Sequence, residues 1–250
     1  MISKEKKYQN KEDLNQFKEI EKLFANENID LIEKIESFGK YASRQSIAKF
    51  LTKYELFQKI IKVNGSIIEC GVFHGNGLLT WAKLSSIFEP VNHTRKVVGF
   101  DTFEGFPSIH GNDVETGISG NLKIGGMKGS SFNEIVEAIK VYDINRAINQ
   151  IPKVELVQGD LCQTAEKYIE ENPHTVISLL YLDLDLYEPT KKALQIFVPH
   201  MPKGAIIAFD ELNAKTFPGE TKAVDEVLGI KNLEIKRFFF DPYVSYAVIG

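Results

Sequence analysis

The chain has 250 residues, 43% of them hydrophobic and 26% charged, which is enough for one sizeable core with a terminal extension. Its formal net charge is -4 and its basic residues are scattered, so the composition gives no indication of a nucleic-acid partner. The two cysteines are too few for a disulfide scaffold, and we expect a cytoplasmic protein with no signal peptide and no membrane span.

The first 62 residues are predicted to form a helical extension, followed by the main domain over residues 63–250. A weak helical period near the start indicates a docking helix or a loose arm, and it rests on Leu14, Phe17, Ile20 and Leu23. Residues 44–62 form a clearer amphipathic helix, because apolar residues recur with the spacing of one helix face at Ile47, Phe50, Leu51, Tyr54, Phe57, Ile60 and Ile61. We expect this extension to close the pocket and to contribute to a homodimer or higher homo-oligomer.

Beyond the extension, strands and helices alternate. Apolar runs predict strands at residues 66–70, 96–101, 153–157, 178–183 and 205–210. Helices are predicted at residues 78–88, 131–142, 163–170, 189–197 and 220–228, and the second of them opens on a capping box. The tail is predicted to form a hairpin of strands 234–240 and 243–249. This order predicts an α/β fold with an open, mostly parallel sheet, helices on both faces and a closing antiparallel hairpin.

Acidic residues follow two neighbouring strands of the predicted sheet. Asp183 and Asp185 end the fourth apolar run, and Asp210 and Glu211 end the fifth. The carboxyl ends of parallel strands meet at the edge of the sheet where ligands bind, so we expect these carboxylates to converge. Several converging carboxylates repel one another unless a cation joins them. The sequence therefore predicts a divalent metal site, and oxygen ligands favour magnesium, calcium or manganese over zinc.

A glycine turn follows the first strand, with the pattern E-x-G-x-x-x-G-x-G formed by Glu69, Gly71, Gly75 and Gly77. Glycines let the backbone approach a ligand closely, and the helix N-terminus behind them favours negative charge. The pattern does not match the dinucleotide fingerprint G-x-G-x-x-G. The glutamate before the first glycine suits a cationic, amino-acid-like ligand such as S-adenosylmethionine better than it suits a pyrophosphate.

Two further acids complete the predicted cofactor site. Asp101 ends the second strand, where an acid accepts the two ribose hydroxyls, and Asp160 ends the third strand and is predicted to face the adenine amino group. The Gly-rich segment 102–130 is long for a loop in a compact domain and is predicted to be a lid. The full set of predicted cofactor-binding residues is Glu69, Gly71, Val72, Gly75, Gly77, Asp101, Thr102, Asp160 and Asp183.

Four strings of the sequence resemble the macrocin O-methyltransferase family, whose members use S-adenosylmethionine and magnesium to methylate sugar hydroxyls. The strings lie at residues 69–77, 99–107, 182–190 and 217–226, and the resemblance spans about residues 65–228. It implies a Rossmann-like class I methyltransferase fold with a seven-stranded sheet, and the closing antiparallel hairpin agrees with that fold. It also implies a small-molecule acceptor, either a sugar or a nucleotide-linked sugar.

The resemblance assigns roles to individual acids. It implies that Asp183, Asp210 and Glu211 bind Mg²⁺ (or Mn²⁺), and that Asp185 is the general base beside Asp183. Many family members have Asp-Asp where this chain has Asp210-Glu211, and glutamate is one methylene longer. Strand alternation is expected to place residues 183 and 185 on the same side. His74 and His110 are alternative bases.

Three other interpretations remain open at this point. A catechol-type O-methyltransferase has similar metal chemistry, but it needs a lysine base a few residues after the first metal-binding aspartate, and Lys191 comes too late. A nucleotide-binding oxidoreductase needs the dinucleotide fingerprint, which this turn lacks. A non-catalytic binding module would leave the strand-end carboxylates without a use. The carboxylates argue against it, because unpaired acids at a strand end are costly unless they are used.

Overall fold

The computed structural model describes residues 11–114 and 122–250. The chain divides into two compact units, the first ending at Leu51 and the second running from Thr52 to Gly250. This division falls within a helix, whereas the sequence predicted a boundary after residue 62. The first ten residues of the predicted arm, the side chain of Leu14 and residues 115–121 of the predicted lid lie outside the described part.

The first unit is helical. Its elements are α1 (Lys11–Asn26), α2 (Leu31–Glu36), α3 (Phe38–Tyr41) and the start of α4 (Arg44–Ile60). The ring of Tyr41 packs edge-on against Phe24 at a centroid distance of 5.0 Å, and its hydroxyl donates a hydrogen bond to Glu27. Lys40 donates to the same carboxylate. These contacts connect the end of α1 to α3.

The second unit is built on one sheet. Its strands are β1 (Ser66–Cys70), β2 (Val97–Asp101), β3 (Val154–Gln158), β4 (Ile177–Leu182), β5 (Ile206–Phe209), β6 (Lys236–Phe238) and β7 (Asp241–Val248). Its remaining helices are α5 (Asn76–Phe88), α6 (Phe132–Ile144), α7 (Leu161–Glu171), α8 (Tyr187–Phe197) and α9 (Pro218–Val227). Short 3₁₀ turns lie at Gly111–Asp113, Val198–His200 and Ile230–Asn232.

The strand order is β3-β2-β1-β4-β5-β7-β6, and within the described residues this is a seven-stranded sheet. The first five strands pair in parallel, while β7 is antiparallel to both β5 and β6. The predicted fold class is therefore confirmed, including the closing hairpin. Because β1 and β4 are neighbours at the centre, the turns that follow them lie side by side.

Both faces of the sheet are buried, as expected for parallel strands between helices. Alternate residues of each strand belong to two core clusters, so that Ile67 and Leu179 lie in one and Ile68 and Leu180 in the other. In the central strand β4 every residue is buried. The long apolar runs in the sequence reflect this burial on both faces.

Small differences from the predicted boundaries matter near the site. Strand β4 ends at Leu182 and β5 ends at Phe209, so the acids begin one residue after each strand. Helix α8 begins at Tyr187, two residues before the predicted start at Pro189. The capping box of α6 is confirmed, because Ser131 accepts from the backbone of Glu134 and Glu134 accepts from the backbone of Ser131.

Candidate active site

The turn between β4 and α8 carries Asp183 and Asp185. The backbone N–H of Asp183 still donates to Cys70 on β1 over 2.9 Å, which holds the start of this turn on the sheet. Asp185 has a left-handed backbone with φ of +63°, which is uncommon for a residue other than glycine. Strand alternation is therefore the wrong reason for their proximity. The strand has already ended, and the turn itself directs the two side chains.

The structure brings together three of the four strand-end acids. Ligand oxygens of Asp183, Asp185 and Glu211, which we call the carboxylate cluster, all lie within 4.8 Å of one another. Asp185 and Glu211 are only 3% and 2% exposed, and Asp183 is half-buried. Three charges this close in a poorly hydrated site repel strongly, so the donor set fits a hard divalent cation.

Asp210 has a different environment from the carboxylate cluster. The buried hydroxyl of Tyr181 donates to its Oδ1 over 2.9 Å, and Asp210 itself is 1% exposed. Within the described residues, Asp210 is not part of the group whose oxygens lie within 4.8 Å of one another. Its role as a metal ligand stays a prediction.

Glu220 supports the carboxylate cluster from α9. Its Oε1 accepts the backbone N–H of Glu211 over 2.9 Å, and its side chain is completely buried. Its Oε2 has no hydrogen-bond partner among the described residues. Burial raises the pKa of Glu220 well above its usual value, and the charge of Glu211 adds to this effect. The sequence predicted this residue only as the start of a helix and as part of the string 217–226.

The glycine turn, residues 71–77, lies directly against the acid turn. A Cβ atom on Gly71 would lie 2.0 Å from the backbone oxygen of Asp183, so only glycine fits there. A Cβ atom on Gly77 would lie 1.8 Å from Oε1 of Glu69. The absent side chain at Gly71 therefore lets the ends of β1 and β4 come into contact, and the absent side chain at Gly77 lets the start of α5 pack against Glu69.

Glu69 is almost completely buried beneath the glycine turn. It is 2% exposed, and its Oε2 has no hydrogen-bond partner among the described residues. Burial raises the pKa of Glu69 to about 8, while the charge of Lys53 acts in the opposite direction. A buried oxygen of this kind fits a cationic group supplied by a ligand.

Asp101 ties the glycine turn to the end of β2. Its Oδ2 accepts the backbone N–H groups of Val72 and Phe73 over 2.7 and 2.9 Å, and its Oδ1 accepts that of Phe103 over 2.7 Å. The predicted contact of this acid with ribose hydroxyls stays a prediction. The structure shows that Asp101 also shapes the turn.

Thr102 and Asp160 make local hydrogen bonds. The hydroxyl of Thr102 donates to the carbonyl of Gly105 over 2.7 Å. Asp160 is the N-cap of α7, where its Oδ1 accepts the backbone N–H of Cys162 over 2.9 Å. Their predicted contacts with the cofactor stay predictions.

Lys53 is a residue of this region that the sequence analysis missed. Its Nζ lies 3.9 Å from the centroid of the Tyr181 ring and 5.2 Å from that of Trp81, and the residue is 6% exposed. Tyr181 is the register partner of Glu69 across β1 and β4. A signal was present in the sequence, because Lys53 precedes the buried Leu56 by three residues and therefore shares the inward face of α4.

The two histidines that were predicted as alternative bases, His74 and His110, make contacts with neighbouring residues of the protein. Nδ1 of His74 lies 3.0 Å from the hydroxyl of Ser130. Nδ1 of His110 accepts the backbone N–H of Asn112 over 3.0 Å, and its ring stacks on Tyr187 at a centroid distance of 4.9 Å. Their roles as alternative bases stay predictions.

Residues 52–235, which include the glycine turn and all of the acids described above, match the family model for macrocin-O-methyltransferase (TylF). The chain belongs to this family. The protein is therefore an O-methyltransferase, as the sequence strings predicted. No protein of curated function matches the sequence significantly.

Solved structures agree with membership of the macrocin O-methyltransferase family. The crystal structure of CalS11, a calicheamicin methyltransferase, is 32% identical, with a TM-score of 0.92 over 97% of this chain and 95% of that one. The apo structure of CalS11, titled as a TDP-rhamnose 3'-O-methyltransferase of calicheamicin biosynthesis, is 32% identical, with a TM-score of 0.84 over 97% of both chains. The O-methyltransferase NovP is 21% identical over 82% of this chain and 81% of that one, with a TM-score of 0.64, and shows the shared fold.

These findings bear on two of the three alternatives that the sequence left open. Membership of the macrocin O-methyltransferase family gives no support to an oxidoreductase or to a non-catalytic module.

Among the helices that the structure describes, none is both long enough and apolar enough to cross a bilayer.

Proposed function

We propose that this protein transfers the methyl group of S-adenosylmethionine to a sugar hydroxyl in a reaction that depends on a divalent cation, Mg²⁺ or Mn²⁺. The observation that carries the proposal is the contact between the glycine turn and the acid turn, at Gly71 and Asp183. This contact supports a cofactor site next to the carboxylate cluster.

We assign the cation to Asp183 and Glu211, because both belong to the predicted ligand set and to the carboxylate cluster. Asp210 is proposed to complete the set, with Tyr181 fixing one of its oxygens. A cation bound there supplies Lewis acidity, which lowers the pKa of an acceptor hydroxyl.

The chain's own residues supply the remaining chemistry. We assign Asp185 as the general base that takes the proton from the acceptor hydroxyl, since its carboxylate lies in the same cluster. We assign Glu69 to the amino group of S-adenosylmethionine, because its buried Oε2 has no hydrogen-bond partner among the described residues. Holding the methyl group and the oxygen near contact contributes about 7 to 11 kcal/mol to lowering the barrier.

For the acceptor we propose a deoxysugar linked to a nucleotide, or a sugar on a metabolite or glycan precursor. The similarity to CalS11, a TDP-rhamnose 3'-O-methyltransferase, supports the first of these. We further propose a cytoplasmic location, supported by two unpaired thiols at Cys70 and Cys162, and a homodimer or higher homo-oligomer.

Removing divalent cations is expected to abolish methyl transfer. Excess EDTA should reduce formation of S-adenosylhomocysteine, in reactions that contain S-adenosylmethionine and TDP-rhamnose, to background. Mg²⁺ added beyond the chelator should restore it, because the oxygen donors of the carboxylate cluster fit a hard divalent cation. Product formation is measured by liquid chromatography with mass detection.

Two further measurements accompany this experiment, and one outcome would contradict it. Binding of S-adenosylmethionine, measured by calorimetry, should persist in EDTA, which separates cofactor binding from the chemistry. Full turnover in EDTA would contradict the role of the cation. Turnover of a catechol, but of no sugar in a panel of nucleotide sugars, would favour the catechol-type alternative.

Replacing Gly77 with alanine is expected to weaken binding of S-adenosylmethionine by about 10- to 100-fold. The new Cβ atom would lie 1.8 Å from Oε1 of Glu69, so this carboxylate must move from its position. A hydrogen bond to a charged group contributes about 1.5 to 3 kcal/mol, which corresponds to a loss of this order. Calorimetric titration with the cofactor measures it.

The matched control is Gly39→Ala, where a Cβ atom meets no other atom within 4 Å. This variant should bind the cofactor as the wild type does. Unchanged affinity in Gly77→Ala would show that Glu69 does not contact the cofactor.

A further inference from the structure

Asp113 is a buried carboxylate on the 3₁₀ turn Gly111–Asp113. It is 1% exposed, although it belongs to the loop segment between β2 and α6. Its Oδ1 accepts the backbone N–H of Tyr187 over 2.6 Å, and its Oδ2 accepts that of His110 over 2.9 Å. One side chain therefore joins this loop to the first residue of α8.

The first hydrogen bond makes Asp113 the cap of a helix that is distant in sequence. The N-terminal N–H groups of a helix have no partner within the helix and need an acceptor. The residue preceding α8 is Leu186, and its side chain makes no capping hydrogen bond. A carboxylate at this end both accepts the hydrogen bond and interacts favourably with the helix dipole.

The start of α9 also packs on this carboxylate. A Cβ atom on Gly219 would lie 2.1 Å from Oδ1 of Asp113 and 2.6 Å from the backbone nitrogen of Tyr187. Nearby, Phe106, Leu186 and Phe217 form a small apolar cluster of their own. The loop and the starts of α8 and α9 thus meet at Asp113. They are packed so closely that residue 219 has no room for a side chain larger than that of glycine.

The turn that needs this support lies directly before α8. It begins at Asp183, ends at Leu186 and includes Asp185 in its left-handed conformation. Such a conformation costs energy in a residue other than glycine and persists only when its surroundings hold it. On its N-terminal side β4 holds the turn, and on its C-terminal side the N–H of Tyr187 is anchored by Asp113.

We propose that Asp113 is a positioning residue for the carboxylate cluster, acting through the cap that it provides for α8. It fixes the C-terminal end of the turn that carries Asp183 and Asp185, and so keeps their oxygens within reach of one cation. The inference rests on the proposed metal-dependent function, and it adds a residue 70 positions before Asp183 in the sequence.

Affinity for Mn²⁺ tests this inference without any turnover. Mn²⁺ is added stepwise to the full chain, with no cofactor and no acceptor present. Electron paramagnetic resonance measures the Mn²⁺ that remains free. Asp113→Ala should weaken Mn²⁺ binding by about 10- to 100-fold, the range typical of groups that orient metal ligands. Asp113→Asn keeps one oxygen for the N–H of Tyr187 but loses the acceptor for the N–H of His110, so it should weaken Mn²⁺ binding less than Asp113→Ala does.

Ser131→Ala is the matched control, because Ser131 caps α6 through its own side chain. Losing this cap costs a comparable stability of about 1 kcal/mol and should leave Mn²⁺ affinity unchanged. The inference is overturned if Asp113→Ala binds Mn²⁺ like the wild type, if Asp113→Asn is as weak as Asp113→Ala, or if Ser131→Ala is weakened equally. A wild-type chain that binds no Mn²⁺ would overturn the proposed metal site and this inference with it.

Discussion

Asp185→Asn is expected to lower kcat by about 10² to 10⁴, the usual contribution of a general base. Asparagine has nearly the same shape and tolerates the left-handed backbone that residue 185 adopts, so the turn should keep its conformation. It cannot accept the proton of the acceptor hydroxyl. The rate of S-adenosylhomocysteine formation at saturating substrates measures the effect.

Two measurements distinguish this role from metal binding. Mn²⁺ affinity of Asp185→Asn should stay within a few-fold of the wild type if the side chain is a base, and should fall much further if it is a ligand. Asp143→Asn, on α6 and paired with Arg146, is the control for the same chemical change and should keep its full rate. If Asp185→Asn also keeps its full rate, the base is another group, and His74 and His110 are then the residues to replace.

Asp183→Ala is expected to abolish methyl transfer even in excess Mg²⁺. Asp183 belongs both to the predicted ligand set and to the carboxylate cluster, so its loss should weaken Mn²⁺ binding by more than the roughly 100-fold that outer partners cost. Electron paramagnetic resonance measures the metal, and the same product assay measures the rate.

The melting temperature of Asp183→Ala is a second measurement on this variant. The backbone N–H of residue 183 keeps its hydrogen bond to Cys70, and the substitution removes one of three mutually repelling charges. In EDTA, Asp183→Ala should therefore melt no lower than the wild type. Normal turnover by Asp183→Ala would contradict the assignment of this residue to the cation.

The sheet was predictable because its signals are local. An apolar run such as Ile177–Leu182 is buried on both faces, so the sequence alone marks it as a central parallel strand. The acids at positions 183 and 211 follow such runs, and the topology of an open sheet places them at one edge. The capping box at Ser131 was likewise predictable from the sequence, because its two partners lie within four residues of each other.

The residues that support the site were not predictable in this way. Asp113 and Tyr187 are 74 positions apart, and no local pattern links them. Glu220 lies nine positions after the backbone group that it accepts, across a turn whose shape the sequence does not specify. Lys53 lies on the buried face of α4, as its spacing to Leu56 indicates, but the aromatic rings beside its ammonium group belong to Trp81 and Tyr181, which are distant in the sequence. In each case the partner is set by tertiary structure.

The amphipathic helix shows the opposite error. Phe50 and Leu51 fit its apolar period, yet they are 46% and 43% exposed, while Lys53 is buried. A helical period reports the composition of a face, and it does not state which residues are covered. The buried face is set by the sheet beneath α4, where Tyr181 offers an aromatic surface to an ammonium group.

The position of β7 has a consequence for how the protein is made. This strand lies between β5 and β6, so β5 has one unpaired edge until residues 241–248 have left the ribosome. An apolar strand with an open edge readily pairs with other chains. During synthesis, a nascent chain that has passed β5 but not β7 therefore exposes an unpaired apolar strand, and we expect it to aggregate more readily than the completed chain.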